Sequence, residues 1–258
     1  MALAPLLRIA APRVAPYGGG LRDVVPITTL TDPHLGGGVE YDGVICQHAG
    51  LAPGLCDERV TTDAEKQFSP PSHVTGPSIA VYTGIGCDIL GEPYDALATQ
   101  ALELAEFYAL AQGIWEVFFK PVAAPNILGG GPLCVEEAVG LAEDWAAGNQ
   151  PGMPLLWTSR AVATVAHSRH VAVREGNALV TPLGTPIVAE RPFGQAPGAP
   201  GGYGWMYVSG PAQLVKGSVL TTVARDTSTN ESMAVAERIW AVTIECTIAA
   251  IQIEAPCT

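Results

Sequence analysis

The feature that most constrains this chain is one long stretch, residues 94–120, in which apolar residues recur at helical spacing. Steps of four and three residues separate the apolar side chains of one helix face, which are Leu97, Ala101, Leu104, Tyr108, Ala111, Trp115 and Phe118. Asp95 is typical of a first helical turn, Lys120 of a last turn, and Pro121 of a helix end. A coiled coil would give a similar pattern, but Phe119 widens the apolar face beyond a coiled-coil seam. We therefore expect a long helix that lies on a sheet.

Two shorter helices are predicted further along the chain. The first covers about residues 133–147, with Pro132 near its first position and glutamates in its first turn. The second covers roughly residues 159–167, with Thr158 or Ser159 as its N-cap. A hydroxyl at this position accepts a hydrogen bond from a backbone N–H of the first turn, so it marks where a helix begins.

Strand-like sequences lie on both sides of the helices. Residues 78–87, SIAVYTGIGC, predict a strand, and short strands are expected around Val171, Leu179, Val188 and WMYVSG. The closing stretch ERIWAVTIECTIAAIQIEA places alternate residues on one face, namely Trp240, Val242, Ile244, Cys246, Ile248 and Ala250. A period of two predicts one long half-buried strand. Strands at both ends of a helical middle indicate an α+β fold with one mixed sheet.

Glycine and proline divide the rest of the chain. Residues 1–45 contain five prolines and two triple-glycine runs, which exclude long helices and indicate an extended arm. Residues 46–78 predict an extended loop or ribbon, which at this length is either functional or disordered. A Gly/Pro-rich insert, FGQAPGAPGGYG, indicates a loop tip before the final strands.

Residues 176–189, GNALVTPLGTPIVA, predict two short strands around a stiff hinge. Pro182 and Pro186 fix their own φ and lack N–H donors, and Gly184 permits a positive φ. No residue of this element is a plausible catalyst.

The composition favours a folded chain that buries part of its surface against other molecules. Of its 258 residues, 48% are apolar and only 15% are charged, which argues against a disordered chain. Other copies of the same chain are the simplest cover for such a surface. The net charge of −12 argues against a dedicated nucleic-acid binder, although not against a protein that only encloses nucleic acid. No apolar run approaches the roughly 18–20 residues of a membrane-spanning helix.

The cysteines form no metal-binding or redox motif. None of the six belongs to a CxxC pair or to a Cys/His cluster with zinc spacing: Cys46, Cys56, Cys87, Cys134, Cys246 and Cys257. An even count is compatible with disulfides, but a chain of this size does not need them, and its first residues lack the basic region of an export signal. We expect free thiols in a reducing cytoplasm.

Two patterns weakly resemble ligand sites, but a tight turn and a helix C-terminus explain them better. Gly84, Gly86 and Gly91 follow a predicted strand, but the third glycine comes two residues too late for a dinucleotide-binding fingerprint, so a tight turn is favoured. His167 and His170 could share a helix face as metal ligands, but no third ligand is evident. Histidines beside Arg169 at a helix C-terminus are favoured by the helix dipole alone.

The candidate catalytic groups are also few. Four acidic residues of the second helix could supply a carboxylate pair, although a solvated helix face explains them too and is the favoured interpretation: Glu136, Glu137, Glu143 and Asp144. Cys87 beside Asp88 could be a nucleophile, but no motif ties a histidine to it, and a half-buried thiol is the simpler interpretation. We therefore predict no catalytic, cofactor-binding or metal-ligating residue, and no enzyme.

The order of these elements resembles that of the major capsid proteins of tailed bacteriophages with the Hong Kong 97-type fold, particularly those of phages that infect actinobacteria. Four stretches carry the resemblance: VYTGIGC (81–87), LATQALELAEFYALAQGIWEVFF (97–119), REGNALVTPLGTPIVA (174–189), and WMYVSGPAQLVKGSV (205–219) with the closing AERIWAVTIECTIAAIQI. None of them is a sharp motif, so the specificity lies in their order.

The resemblance implies a division of the chain into the regions of that fold. They are an N-terminal arm (1–45), an extended loop over an adjacent subunit (46–78), a peripheral domain with its spine helix (79–125), an axial domain that gathers subunits into rings (126–203), and a return to the peripheral sheet (204–258). Residues 176–189 would then set how the ring-forming part meets its neighbours.

The implied function is a structural subunit that self-assembles, as hexamers or pentamers, into an icosahedral head around double-stranded DNA. Implied partners are other copies and a second capsid, scaffold, portal or decoration protein, with no membrane and no sequence-specific DNA contact. The implied location is the virion, assembled in the host cytoplasm. Some relatives cross-link a loop lysine to an asparagine, but Lys66 has no identifiable partner here, so no cross-link is predicted. The alternatives are an encapsulin-like shell around protein cargo and a soluble α+β enzyme that uses Cys87 or acidic residues.

Overall fold

The computed structural model describes residues 18–43, 72–87, 94–198, 204–226 and 231–254. Predictions for the remaining residues lie outside this description, including most of the arm and of the extended loop. The same holds for the single residues Cys46, Cys56, Lys66, Asp88, Gly91, Asn230 and Cys257.

Short helices and many strands alternate along the described chain. In order, the helices are α1 (Leu21–Val24), α2 (Tyr94–Ile114), α3 (Val135–Asn149) and α4 (Arg160–Ser168). The strands are β1 (Ile27–Thr29), β2 (Val39–Gly43), β3 (Ser72–Gly76), β4 (Ser78–Cys87), β5 (Ile127–Leu133), β6 (Leu155–Thr158), β7 (Val173–Glu175), β8 (Ala178–Val180), β9 (Pro186–Ala189), β10 (Trp205–Ser209), β11 (Ala212–Asp226), β12 (Glu231–Ile244) and β13 (Ala249–Ile253).

The described strands form three sheets, so the prediction of one mixed sheet is wrong. A four-stranded sheet has the order β1-β11-β12-β4, in which only the β1–β11 pair is parallel. A seven-stranded mixed sheet has the order β5-β13-β10-β6-β9-β8-β7. The antiparallel pair β2–β3 forms a two-stranded ribbon that ends at Gly43 and Ser72, which lie opposite each other. Residues 44–71 therefore connect two strand ends that are adjacent in the ribbon.

Helix α2 packs on the four-stranded sheet as predicted, but its buried face agrees with the predicted one only near its end, at Ala111 and Trp115. The buried residues of α2 are Tyr94, Ala98, Leu102, Glu106, Leu110, Ala111 and Ile114. By contrast, Leu104 and Tyr108 are more than half exposed. The apolar periodicity failed because the middle of the buried face carries a charged residue, Glu106, which a hydrophobic pattern counts as solvent-facing.

A buried ion network explains how Glu106 is accommodated. Its side chain is only 2% exposed, and its carboxylate accepts hydrogen bonds from Arg238 on β12 and from Lys216 on β11, the latter at 3.4 Å. Burial of an unpaired carboxylate would strongly favour its neutral form, whereas two cations offset that penalty. The network therefore ties the middle of α2 to the two central strands of the sheet.

The end of α2 joins the two large sheets. The helix continues through a π-helical turn, Trp115–Phe119, which closes with the Lys120 N–H donating to the Trp115 carbonyl at 2.8 Å. This turn places Phe119 within 4.8 to 5.3 Å, ring centroid to ring centroid, of Tyr207, Trp157 and Phe193. Trp157 and Tyr207 belong to the seven-stranded sheet, so this aromatic cluster fixes the end of the helix to that sheet, while α2 itself packs on the four-stranded sheet.

The closing stretch is two strands and not one. Strand β12 pairs with β4 and β11 in the four-stranded sheet, whereas β13 pairs with β10 and β5 in the seven-stranded sheet. Between them the chain turns at Cys246, which has a φ of 65°. Of the strands within residues 204–258, β11 and β12 belong to the four-stranded sheet, while β10 and β13 belong to the seven-stranded sheet.

The shorter helices form close to their predicted positions. Ser159 is the N-cap of α4, and its hydroxyl accepts from the Val162 N–H at 3.2 Å. The start of α3 differs from the prediction, because Pro132 belongs to β5 and the N-cap is Cys134. The Cys134 N–H instead donates to the Glu137 carboxylate at 3.4 Å, so an acidic first-turn side chain caps this helix.

Two cysteines are not the free thiols that the sequence predicted. Cys134 and Cys246 are each disulfide-bonded in the structure. The prediction relied on the size of the chain. A chain that can build its core without disulfides can still contain them, so size did not predict the state of these two cysteines.

Candidate assembly surfaces

The hinge predicted at residues 176–189 is a tight antiparallel unit. Strands β8 and β9 pair directly, and the chain between them closes with the Thr181 N–H donating to the Thr185 carbonyl at 2.9 Å. Gly184 has a φ of +88°, a conformation in which other residues are strained. The predicted strand–hinge–strand element is confirmed, together with its requirement for glycine.

A carboxylate of α3 holds this hinge. Glu143 is half-buried and accepts a hydrogen bond from the Thr181 hydroxyl, whose oxygen in turn accepts from the Thr185 N–H at 3.1 Å. The solvated helix face that was predicted for Glu143 is therefore wrong. Sequence periodicity could not reveal this role, because the partner lies 38 residues away on another element.

The hinge presents one apolar side chain to the outside. Leu183 is 76% exposed at the turn, between Pro182 and Gly184. Exposed single leucines are common, but this one is carried by a turn whose backbone bonds, proline and α3 contact all restrict its motion. A rigid apolar tip loses little conformational entropy when it is buried by a partner.

A second apolar surface lies on the four-stranded sheet, on the side opposite α2. Tyr82, Glu237 and Leu220 are paired across three strands and form one row of this outer face. Tyr82 is 75% exposed, and Met233 further along β12 is half exposed. The other end of the same face is covered within the chain by Leu35, which packs on Val215 and Ala241. None of the described residues covers the end that carries Tyr82.

The third surface is the exposed stripe of α2. Leu97, Leu104 and Tyr108 are separated by seven and four residues and share one side of the helix. These are part of the apolar face that the sequence identified, and in the isolated chain they face outwards. The periodicity thus identified a real apolar stripe, but these three residues do not pack on the sheet as predicted.

The base of the β2–β3 ribbon is fixed to the end of β12. The Tyr41 hydroxyl donates to the Glu245 carboxylate at 2.6 Å. The pKa of Tyr41 is raised to about 12, mainly by burial and secondly by this hydrogen bond to a carboxylate. The ribbon therefore has a defined position beside the end of β12.

The other described residues that the sequence pointed to lie in β4, in α3, and in or just after α4. Gly84 and Gly86 lie inside β4, so neither the dinucleotide turn nor the tight turn is formed by them. His167 faces Ala172, whose carbonyl oxygen is 3.0 Å from its Nδ1, and His170 follows α4 with a φ of 62°. Glu136 lies 3.7 Å from Arg169. The structure does not describe the side chain of Cys87.

The described residues contain neither a metal-binding cluster nor a helix suited to span a membrane. No group of three or more His, Cys, Asp or Glu side chains in this part of the chain is arranged to hold a metal ion. None of the helices found there combines the length and apolar character that crossing a bilayer requires.

No protein-family model matches this chain, and no curated protein matches it. Solved structures do match it over almost its whole length. The capsid of an empty GTA particle, computed with C5 symmetry, gives a TM-score of 0.55 at 11% identity and covers 95% of this chain and 100% of its own. Structures from Microbacterium phage Oxtober96 and Mycobacterium phage Che8 give TM-scores of 0.52 and 0.50, each at 12% identity. They cover 98% and 96% of this chain, and 96% of their own in both cases.

At these identities the likeness shows the fold. The chain has the mixed α/β fold of these phage and particle structures, so the predicted fold class and the resemblance at the level of fold are confirmed. The comparisons offer no support for the enzyme or for the encapsulin-like alternative, because the solved structures named here are those of phages and of a GTA capsid.

Proposed function

We propose that this chain is a major capsid protein, a structural subunit that self-assembles into a closed icosahedral head. The observation that carries the proposal is the fold match, which extends over 95% of the chain to the whole of a capsid subunit. A fold can host many functions, so the surfaces must also suit assembly.

The surfaces of the isolated chain support self-association. The rigid tip at Leu183, the outer sheet face around Tyr82 and the stripe at Leu104 leave large apolar side chains exposed on three separate parts of the molecule. Repeated contacts in a symmetric shell would bury such side chains between copies. A chain with 15% charged residues and this distribution is better suited to an assembly than to a free monomer.

The finer assignments follow from the same proposal. The four-stranded sheet with α2 would form the peripheral part, the seven-stranded sheet the axial part, and the hinge at residues 176–189 would meet neighbours in a hexamer or pentamer. The extended loop would reach over an adjacent copy from its base at Gly43 and Ser72. These roles and the domain boundaries remain predictions.

The cargo and location belong to the proposal as well. An interior formed by copies with a net charge of −12 would repel the phosphates of double-stranded DNA and leave the packaged molecule mobile. The chain would be located in the virion after assembly in the host cytoplasm. It would form a shell without catalytic turnover.

The proposal is tested by changing the exposed tip and measuring assembly. Leu183→Asp should leave the far-ultraviolet circular dichroism and thermal unfolding of the chain unchanged, because the side chain is 76% exposed. It should raise the protein concentration at which light scattering detects large particles by at least tenfold. Val165→Asp, which alters another exposed apolar residue on α4, is the matched control. Equal assembly of all three proteins would contradict the proposed role of the tip.

A further inference from the structure

A small cavity opens beside α4, at the free edge of the seven-stranded sheet. It has a volume of about 170 Å³ and lies between α4, the turn at Gly18 and Gly19, and strands β7 to β9. Its polar lining comes from Arg160, Thr164, His167, Arg174 and Asn177, with Ala163, Leu179 and Ala189 forming the apolar part. Two arginines and a histidine in one recess are unusual in a chain with only 13 lysines and arginines.

The two guanidinium groups converge on one glycine. Arg160 donates from Nη1 to the Gly18 carbonyl at 3.2 Å and to the Ala189 carbonyl at 3.4 Å. A Cβ atom added to Gly18 would lie 2.8 Å from Nη2 of Arg174, so the glycine makes room for the second guanidinium. Both arginines are exposed, so water screens their mutual repulsion in the isolated chain, and an anion bound between them would offset it further.

One nearby carboxylate interacts with Arg160, whereas no ion pair among the described residues includes Arg174. Glu190 lies close enough to Arg160 to interact with it, and Asp23 accepts the Gly19 N–H at 3.0 Å. Neither of these side chains lines the cavity. Among the residues that the structure describes, Arg174 makes no hydrogen bond and no ion pair. Its five N–H donors are therefore available to a ligand, in a geometry that matches two oxygens of one oxyanion.

We propose that this cavity is an oxyanion-binding site whose ligand is a carboxylate side chain from a second copy of the chain. A single carboxylate fits a recess of this size, and Arg174 can bind it through both oxygens while Arg160, Asn177 and His167 surround it. The chain has 25 acidic residues against 13 lysines and arginines, so in an assembly of identical copies the most abundant anion is the neighbour's carboxylate. The net charge of −12 opposes the close approach of a DNA backbone instead.

The first experiment tests the site on the purified chain, whether or not it assembles. Malonate and inorganic phosphate, as carboxylate and phosphate probes, are titrated by isothermal calorimetry at constant ionic strength and pH. We expect malonate to bind, and Arg174→Gln to weaken this binding at least fivefold. Arg169→Gln removes a cation at the end of α4, outside the cavity. This control variant should bind malonate as the unaltered chain does. No difference between the two variants would overturn the site.

The second experiment identifies the source of the carboxylate, and this part rests on the self-association proposed above. A benzophenone photo-crosslinker replaces Asn177 at the mouth of the cavity, and ¹⁴N- and ¹⁵N-labelled chains are mixed before assembly. We expect mixed-isotope cross-links to a peptide that contains Asp or Glu.

The failures of the two proposals can be separated. Particles that form normally but give cross-links only within one chain, or to nucleic acid, would overturn the second-copy ligand and leave the capsid proposal intact. A chain that binds malonate through Arg174 but never assembles would contradict the capsid proposal and the second-copy source, while the oxyanion site would stand.

Discussion

The buried ion network under α2 gives the sharpest prediction about stability. Glu106→Gln removes the negative charge but keeps the size of the side chain, so it leaves Arg238 charged and buried without its counter-ion. Arg238 has a side chain that is 6% exposed, and its Nε atom already lacks a partner among the described residues. We therefore expect the variant to be strongly destabilised although no cavity is created.

The expected magnitude follows from the burial of both partners. Removal of one member of a buried pair destabilises a protein by about 3–5 kcal/mol, mainly because the other charge stays buried and unpaired. The glutamine amide retains one acceptor oxygen for Arg238, and Lys216 can turn towards solvent from a position that is 27% exposed. Both effects place the expected loss near the lower end, at about 3 kcal/mol.

The assay is equilibrium unfolding in urea, followed by tryptophan fluorescence and circular dichroism. With a slope of about 2–3 kcal/mol per M of urea, the midpoint should fall by about 1 M or slightly more. Glu103→Gln, on the exposed side of the same helix, is the matched control and should change the free energy of unfolding by less than about 0.5 kcal/mol. A double variant, Glu106→Leu with Arg238→Met, should recover most of the loss, because apolar replacement of a buried ion pair is often neutral.

Two outcomes would refute this reasoning. If Glu106→Gln and Glu103→Gln unfold at the same urea concentration, the network does not fix α2 to the sheet. If the apolar double variant is less stable than Glu106→Gln alone, the loss of stability does not come from an unpaired buried charge on Arg238.

Three further predictions concern the hinge and the loop base. Gly184→Ala should lower the free energy of unfolding by about 1–2 kcal/mol, because its φ of +88° is unfavourable for a residue with a Cβ, and thermal unfolding would measure it. Thr181→Val should cost about 1–3 kcal/mol by the same measurement, since it leaves the α3 carboxylate and a backbone N–H without their partner. The raised pKa of Tyr41, about 12 against an unfolded value of 10.0, means that its contribution to stability is complete below pH 10 and disappears as the pH rises through 12. Tyr41→Phe should therefore flatten the fall of the melting temperature over that range, whereas Tyr82→Phe, at an exposed position, should not.

The sequence predicted helix starts, strands and turns well where neighbouring residues determine them. Strand β4 matches its prediction, Ser78–Cys87, because its run of apolar and small residues begins directly after Pro77. The start of α4 follows from the Ser159 cap, and the turn between β8 and β9 follows from Pro182 and Gly184. Each depends on interactions within a few residues, which a single sequence records directly.

Features that depend on distant partners could not be predicted. The buried face of α2 contains Glu106, whose charge is acceptable only because Arg238 lies opposite it, 132 residues later. The role of Glu143 depends in the same way on Thr181. The break between β12 and β13 occurs within an unbroken period of two, so only the pairing of the two strands with different sheets reveals it.

The cavity at Gly18 illustrates the same limit for a candidate site. Arg160 and Arg174 are 14 residues apart and belong to a helix and a strand, and no spacing pattern relates them to the glycine run of the arm. Only the fold brings the three together. The sequence contained one hint, because REGNALV was among the stretches that carried the resemblance, but its arginine had no assigned role.

The measurement that tests the central claim most directly is negative-stain electron microscopy of the purified chain, taken across a concentration series with and without a crowding agent. Self-assembly through the exposed apolar surfaces predicts rings or closed shells of uniform size that appear above a threshold concentration. A monodisperse monomer at every concentration, with and without the crowding agent, would contradict the account.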